Sequence, residues 1–277
     1  MYNSITSLHI SRVRIFHPVS RILEGTAWSM TVMYTYKIAD KSIRVLSLYN
    51  DVHEYCHEYR CNEEPDFDVV ISQKDIDFER VKSVRERLAE GVNVVDYPDA
   101  YIEELAVYRK IAETMPKYHT FLFHGSAIAV TGIGYIFAAP SGTGKSTHAY
   151  LWCKLLGDKV VMVNDDKPLI SIKERKAMVH GTPFNGKHRR GSNISVPLKA
   201  ICLLERSKSN HILRIPYDEA YTELLRQIYR PLNPDALRYT IRLLDELKTC
   251  VTFYRMGCNM DIEAAELAYK TMKEECT

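Results

Sequence analysis

Apolar positions along this chain switch repeatedly between a two-residue spacing, which marks strands, and a three-to-four-residue spacing, which marks helices. Two alternating runs within 33–47 flank Ala39-Asp40-Lys41 and predict a hairpin, and 67–71 predicts a further short strand. After Asp75, read as a helix cap, Phe78, Val81, Val84 and Leu88 recur at helical spacing until Gly91 stops the run. Pro98 opens a second helix with Ile102, Leu105 and Ile111 on one face, ending before Pro116. Residues 1–29 show no sustained period. Regular structure starts at about Met30 or Met33, either of which is a candidate start of the chain.

Beyond residue 116 the pattern becomes denser in strands. Segments 121–123 and 128–130 read as strands, with a turn at Thr131-Gly132 before a third at 135–138. A helix follows over 148–156, then strands over 159–163, 169–172, 177–180, 198–204 and 212–215. Two helices are predicted over 217–228 and 233–247, then a strand over 251–256 and a closing helix capped by Asp261. The expected organisation is an uncertain segment 1–29, a small α+β domain over 30–115 and a larger α/β domain over 116–277, so the chain is α+β overall.

The densest chemistry lies between the strand at 135–138 and the helix after it, where the chain reads Ala138-Ala139-Pro140-Ser141-Gly142-Thr143-Gly144-Lys145-Ser146-Thr147. Strand, small-residue loop and helix make a phosphate cradle. Glycines let backbone N–H groups turn toward an anion, the helix N-terminus adds partial positive charge, and Lys145 reaches the outer phosphates. Ser146 or Thr147 supplies a hydroxyl for Mg2+. Relative to G-x-x-x-x-G-K-[ST], the first glycine position is Ala139. Twenty residues beyond Lys145, the next strand ends in Asn164-Asp165-Asp166-Lys167. Two adjacent acids there allow one carboxylate on the metal and the other as general base for an attacking hydroxyl. The order of that tetrapeptide differs from the guanine-reading N-K-x-D. His124, at the end of a strand upstream of the loop, is a third candidate. The stretch 181–195 carries Lys187, His188, Arg189 and Arg190 and reads equally as a solvated basic loop.

Composition narrows the picture in a few places. With 37 Lys and Arg against 35 Asp and Glu, interspersed, the net charge of +2 gives no electrostatic footprint for nucleic acid or an anionic membrane. Neither a membrane span nor a signal-peptide core is present, and seven scattered cysteines suit free thiols, so the expected location is cytoplasmic. His53, Cys56, His57 and Cys61 have metal-like types at a spacing that matches no zinc pattern, and read as a polar surface segment.

An ordered set of these features resembles the bacterial HPr kinase/phosphorylase family, which shares a nucleotide-binding core with phosphoenolpyruvate carboxykinase. Phe123-His124-Gly125 precedes the loop strand, Ser141-Gly142-Thr143-Gly144-Lys145-Ser146 forms the loop, and Asn164-Asp165-Asp166 ends the next strand. The run from Gly181 to Lys187, followed by Val196-Pro197-Leu198-Lys199-Ala200-Ile201, looks like uncharacterised HPr-kinase-like proteins. The resemblance is good over about 119–206, loose from there to Met272, and poor over the first hundred residues. It implies a mixed sheet with flanking helices, ATP and Mg2+ as cofactors, and a kinase that phosphorylates a hydroxyl, serine foremost, of a small molecule, peptide or protein. It further implies Lys145 on the transferred phosphoryl group, Ser146 and Asp166 on Mg2+, Asp165 as general base and His124 beside the phosphates, with Arg189, Arg190, Arg226 and Arg230 as candidates for a phosphate contact. The N-terminal region and the segment after Asp166 depart from true HPr kinases, which leaves the acceptor open. The rival readings are a nucleotide-binding regulatory module, and a phosphorylase running the reaction backwards from a phosphoserine; an assembly of like chains is compatible with any of them.

Overall fold

The structure is a computed structural model that describes residues 19–21, 30–89, 91–186 and 188–274. The expectations for Lys187, for Cys276 and for most of 1–29 fall outside these. Residues Val19–Arg21 form β1, antiparallel to β2 (Met30–Ile38). β2 and β3 (Lys41–Ser47) make the predicted hairpin, with Ala39 and Asp40 both at positive φ (49° and 61°), the backbone that a tight two-residue turn demands. A short helix α1 (Asp51–Tyr55) and β4 (Arg60–Cys61) follow, then β5 (Phe67–Val70), parallel to β3. Tyr36, Ile38, Ile43 and Val45 bury one face of this five-stranded sheet against Ile102, Ala106 and Ile111 of α3 (Asp99–Thr114).

Two expectations fail here. His53 and Cys56 do not lie in a polar surface segment, being 0% and 2% exposed. The His53 ring is held between Tyr36 Oη at Nδ1 (2.5 Å) and Ser47 Oγ at Nε2 (2.7 Å), a buried polar clamp with no metal-binding group of His, Cys, Asp or Glu among the described residues. The helix α2 (Gln73–Ala89) also starts earlier than expected, with Asp75 inside its first turn and reaching back to accept from the Ser72 amide at 3.0 Å and hydroxyl at 2.7 Å. Its apolar stripe points outward: Phe78, Val81 and Leu88 are exposed, while Ile76 and Glu79 are buried. An ion pair decides the rotation, since Glu79 is bound by Arg109 of α3.

The large sheet begins with β6 (Thr120–Leu122), β7 (Ser126–Val130) and β8 (Ile133–Ala138). Helix α4 (Lys145–Leu156) and β9 (Val160–Asn164) come next, followed by β10 (Leu169–Lys173) and β11 (Lys176–His180). The long β12 (Ser195–Arg206) pairs with β11 through its first residues and lies between β8 and β14 (Thr252–Cys258) through the rest. β13 (His211–Ile215), α5 (Tyr217–Gln227), α6 (Pro234–Glu246) and α7 (Ile262–Lys273) complete the chain. The strand order is β6-β10-β11-β12-β8-β7-β9, with β14 also on β12 and β13 on β14.

Alternation within β8 divides the core between two faces. Tyr135 and Phe137 pack with Trp152 of α4 and Ala264, Ala268 and Met272 of α7, whereas Ile136 and Ala138 join Leu224 of α5 and Leu243 of α6 on the opposite face. The architecture is α+β, as the pattern predicted, and the large sheet is mixed. No helix among the described residues is long and apolar enough to cross a membrane.

Candidate functional site

Strand direction creates the site. β8 runs parallel to β12, and β9 runs parallel to β8 because both pair antiparallel with β7. Three carboxyl-terminal strand ends therefore open on one edge of the sheet, which is where open α/β sheets hold ligands. The loop 139–144 leaves the end of β8, Asp165 and Asp166 follow β9, and Arg206 ends β12.

The loop bends through Gly142 and Gly144 at φ 74° and 122°, values that side chains disfavour, with open space beside both. At Ala139 the methyl group replacing the expected glycine is buried in the core beside α4, so it does not crowd the loop interior. Arg206 donates to the Gly142 carbonyl at 2.5 Å. Lys145 is buried, with Nζ donating to the Ala139 carbonyl at 2.9 Å. Burial pushes its ammonium pKa down, and Asp166 and Asp165 work in the opposite direction.

Asn164 organises the acidic turn. Its Oδ1 accepts from the amides of Asp166 (2.9 Å) and Lys167 (2.6 Å), while its Nδ2 donates to Thr182 Oγ1 (2.9 Å) and O (3.1 Å). Asp165 accepts at Oδ1 from Ser126 Oγ at 2.6 Å, leaving Oδ2 without a hydrogen bond among the described residues. Asp166 is flanked by His124 Nε2 at 3.5 Å and Lys167 Nζ at 3.6 Å. Gly186, at φ 78°, brings its backbone against the Asp166 side chain, where an added Cβ would lie 3.0 Å from the Asp166 Cβ. The pKa of His124 is lowered, first by burial and then by Lys145, with Asp166 opposing.

A cavity of about 720 Å³ joins these parts. Of the expected loop residues Ser141, Gly142, Gly144, Lys145, Ser146 and Thr147 line it; Thr143 does not, its amide turning to the Pro140 carbonyl at 3.3 Å. His124, Asp165 and Asp166 line it as well. Among the four candidate arginines only Arg189 reaches this cavity, lying 4.5 Å over the Tyr55 ring. Arg190 turns to Tyr150 instead, at 5.5 Å. The sequence reading gives no role to Ser126, the last residue of His124-Gly125-Ser126, or to Lys167, the last residue of the quoted tetrapeptide. It also missed Tyr55, Tyr101, Glu104 and Tyr108, which form the opposite wall from α1 and α3.

The donor set suits a hard cation only in part. A hydroxyl at Ser146 and a carboxylate at Asp166 are the oxygen ligands Mg2+ accepts alongside water and phosphate oxygens, and no protein-only cluster of His, Cys, Asp or Glu exists among the described residues.

A family model described as "SynChlorMet cassette protein ScmC" matches residues 100–229, a stretch short of half the chain and spanning the loop, the acidic turn and α5. This is a different family from the one the sequence motifs resemble. Among solved structures, the Hpr(Ser) kinase/phosphatase from Coxiella burnetii matches with a TM-score of 0.31 and 8% identity, covering 54% of this chain and 95% of that chain. No curated protein matches. The likeness to the kinase/phosphatase is therefore weak and distant.

Proposed function

We propose that this chain is an ATP- and Mg2+-dependent kinase with a nucleotide core of the HPr kinase and carboxykinase type. It would phosphorylate a hydroxyl, serine foremost. The observation that carries the reading is the convergence of a glycine-bent loop with its lysine, two carboxylates and a histidine on one cavity at parallel strand ends. Residues 116–277 form the catalytic part in this reading, and 30–115 wall its cavity.

Lys145 and the loop amides neutralise the phosphates, which is most of what phosphoryl transfer asks of a protein. Ser146 and Asp166 would hold Mg2+, which would supply further charge neutralisation when bound. Asp165, oriented by Ser126, takes the proton of the acceptor hydroxyl. That oxygen then bonds to the γ-phosphorus as the bond to the ADP oxygen breaks. His124 lies between Asp166 and the acceptor side of the cavity and steers the incoming group.

The test is transfer of label from γ-labelled ATP with Mg2+ to serine, threonine and serine-bearing peptides, with Lys145→Ala alongside. Label on an acceptor that disappears with Lys145→Ala supports the kinase. Nucleotide binding without label on any acceptor would instead make the chain a regulatory nucleotide-binding module, and turnover preserved in Lys145→Ala would refute the phosphate-loop reading.

A further inference from the structure

A second cavity, of about 280 Å³, adjoins the first and contains none of the loop residues. The two share Leu105, Tyr108, His124 and Lys167, so a molecule in one sits directly beside a molecule in the other. Its outer walls come from α2 and α3 and from the end of α5 with residues 228–229.

Most of the charge in those walls is already matched. Glu79 is bound by Arg109 and lies 3.5 Å from Lys82, Lys82 lies 3.9 Å from Glu86, and Arg109 also reaches Asp75 at 3.3 Å. Three polar groups are left over, one of them Gln227 Oε1, which is buried with no hydrogen-bond partner among the described residues. The Arg226 guanidinium has no ion pair or hydrogen bond among the described residues. The Tyr108 hydroxyl is buried, its residue 9% exposed, and it has no partner either. The Tyr108 hydroxyl and Gln227 Oε1 are closed off from solvent, so of the three only the exposed Arg226 is open to a molecule in the cavity.

Resting on the kinase reading, we propose that this second cavity seats the phosphoryl acceptor, and that the acceptor is a small hydroxyl-bearing carboxylate. Its carboxylate pairs with Arg226, and its hydroxyl faces His124 and Lys167 toward the acidic turn. An unpaired guanidinium selects a carboxylate over a neutral or cationic group. The size suits a free amino acid or the last residue of a peptide. Those two sources share one chemistry. The hydroxyl proton passes to Asp165, the acceptor oxygen gains the γ-phosphoryl group, and ADP leaves.

Calorimetric titration in Mg2+ with a non-hydrolysable ATP analogue separates the cases. The probes are L-serine, L-serinamide, and Gly-Gly-Ser with a free or an amidated carboxyl. A free-carboxylate probe is expected to bind at least about tenfold more tightly than its amide, as a charge-assisted pair predicts. Arg226→Gln should erase that preference without changing analogue affinity, and Arg226→Lys should keep part of it. Binding of L-serine alone assigns the free amino acid, and binding of the tripeptide alone assigns a peptide end. Equal affinity for acid and amide, a preference that survives Arg226→Gln, or no binding by any of the four overturns the proposal. Analogue affinity is read in the same titrations for the wild type and Lys145→Ala, so failure of the nucleotide site shows separately from failure of the acceptor site.

Discussion

Facing each other across the main cavity, the strand-end side and the helical side hold their groups by different physics. On the strand-end side directed hydrogen bonds hold the acidic turn: Asn164 anchors it through two amides and Thr182, and Ser126 orients Asp165. Along the helical side, Tyr55 and Tyr108 are set by ring packing, with Tyr108 4.9 Å from Phe184 and Arg189 over Tyr55. Directional bonds place reacting groups to fractions of an ångström, whereas packed rings set shape and affinity. Substitutions on the first side should therefore lower the rate, and those on the second should weaken binding.

The largest effect is expected at Asp165. Asp165→Asn should lower phosphoryl transfer by about 10²-fold or more while nucleotide affinity stays within about twofold, the signature of a lost general base. Unchanged transfer would reject that role. Next comes Ser126→Ala, which frees Asp165 Oδ1; a fall of about tenfold in kcat with KM for ATP unchanged is the expected result. A change confined to KM would instead make Ser126 part of the binding surface. On the helical side, Tyr55→Leu removes the ring under Arg189 and should raise the Kd for nucleotide only about threefold, with kcat preserved. A collapse of kcat there would break the division between the two sides.

The same division explains what could be read from the sequence. Lys145, Asp165 and Asp166 stand out because they match a phosphate-loop pattern placed around strand ends, and the strands are marked by alternation. The hairpin at Ala39-Asp40 and the helices beginning near Asn233 and Asp261 follow from local rules and appear as expected, although the expected Asp261 cap makes no side-chain capping bond while Asn233 accepts from the amides of Asp235 and Ala236. Tyr108 and Arg226 carry no such signal, since nothing local tells a wall tyrosine from a core tyrosine, and only the docking of α3 beside the end of α5 brings the two together. The outward rotation of α2 was hidden for a related reason. Its periodicity selected Phe78, Val81 and Leu88 as the buried face, but the long-range Glu79 pairing with Arg109 turned the helix the other way.

Acid stability provides the finest test of whether the two sides belong to one cooperative unit. Three buried histidines report on different regions: His53 in the small sheet, His180 in the large sheet and His148 at the start of α4. Burial lowers each imidazole to about 4, against about 6.5 in an unfolded chain. Below pH 6.5 the unfolded chain binds protons that the folded chain refuses, so stability is lost as pH falls from about 6.5 to about 4. Leu122 and Leu169 of the large sheet lie in the same buried cluster as Tyr36 and Ile102, so both regions should melt in a single transition whose midpoint falls across that window. Substituting His53 with Gln should flatten part of the pH dependence of that one transition, even though the residue lies in the small sheet. Two calorimetric transitions, only one of them responding to the His53 change, would show that the helical wall unfolds independently of the strand ends it faces.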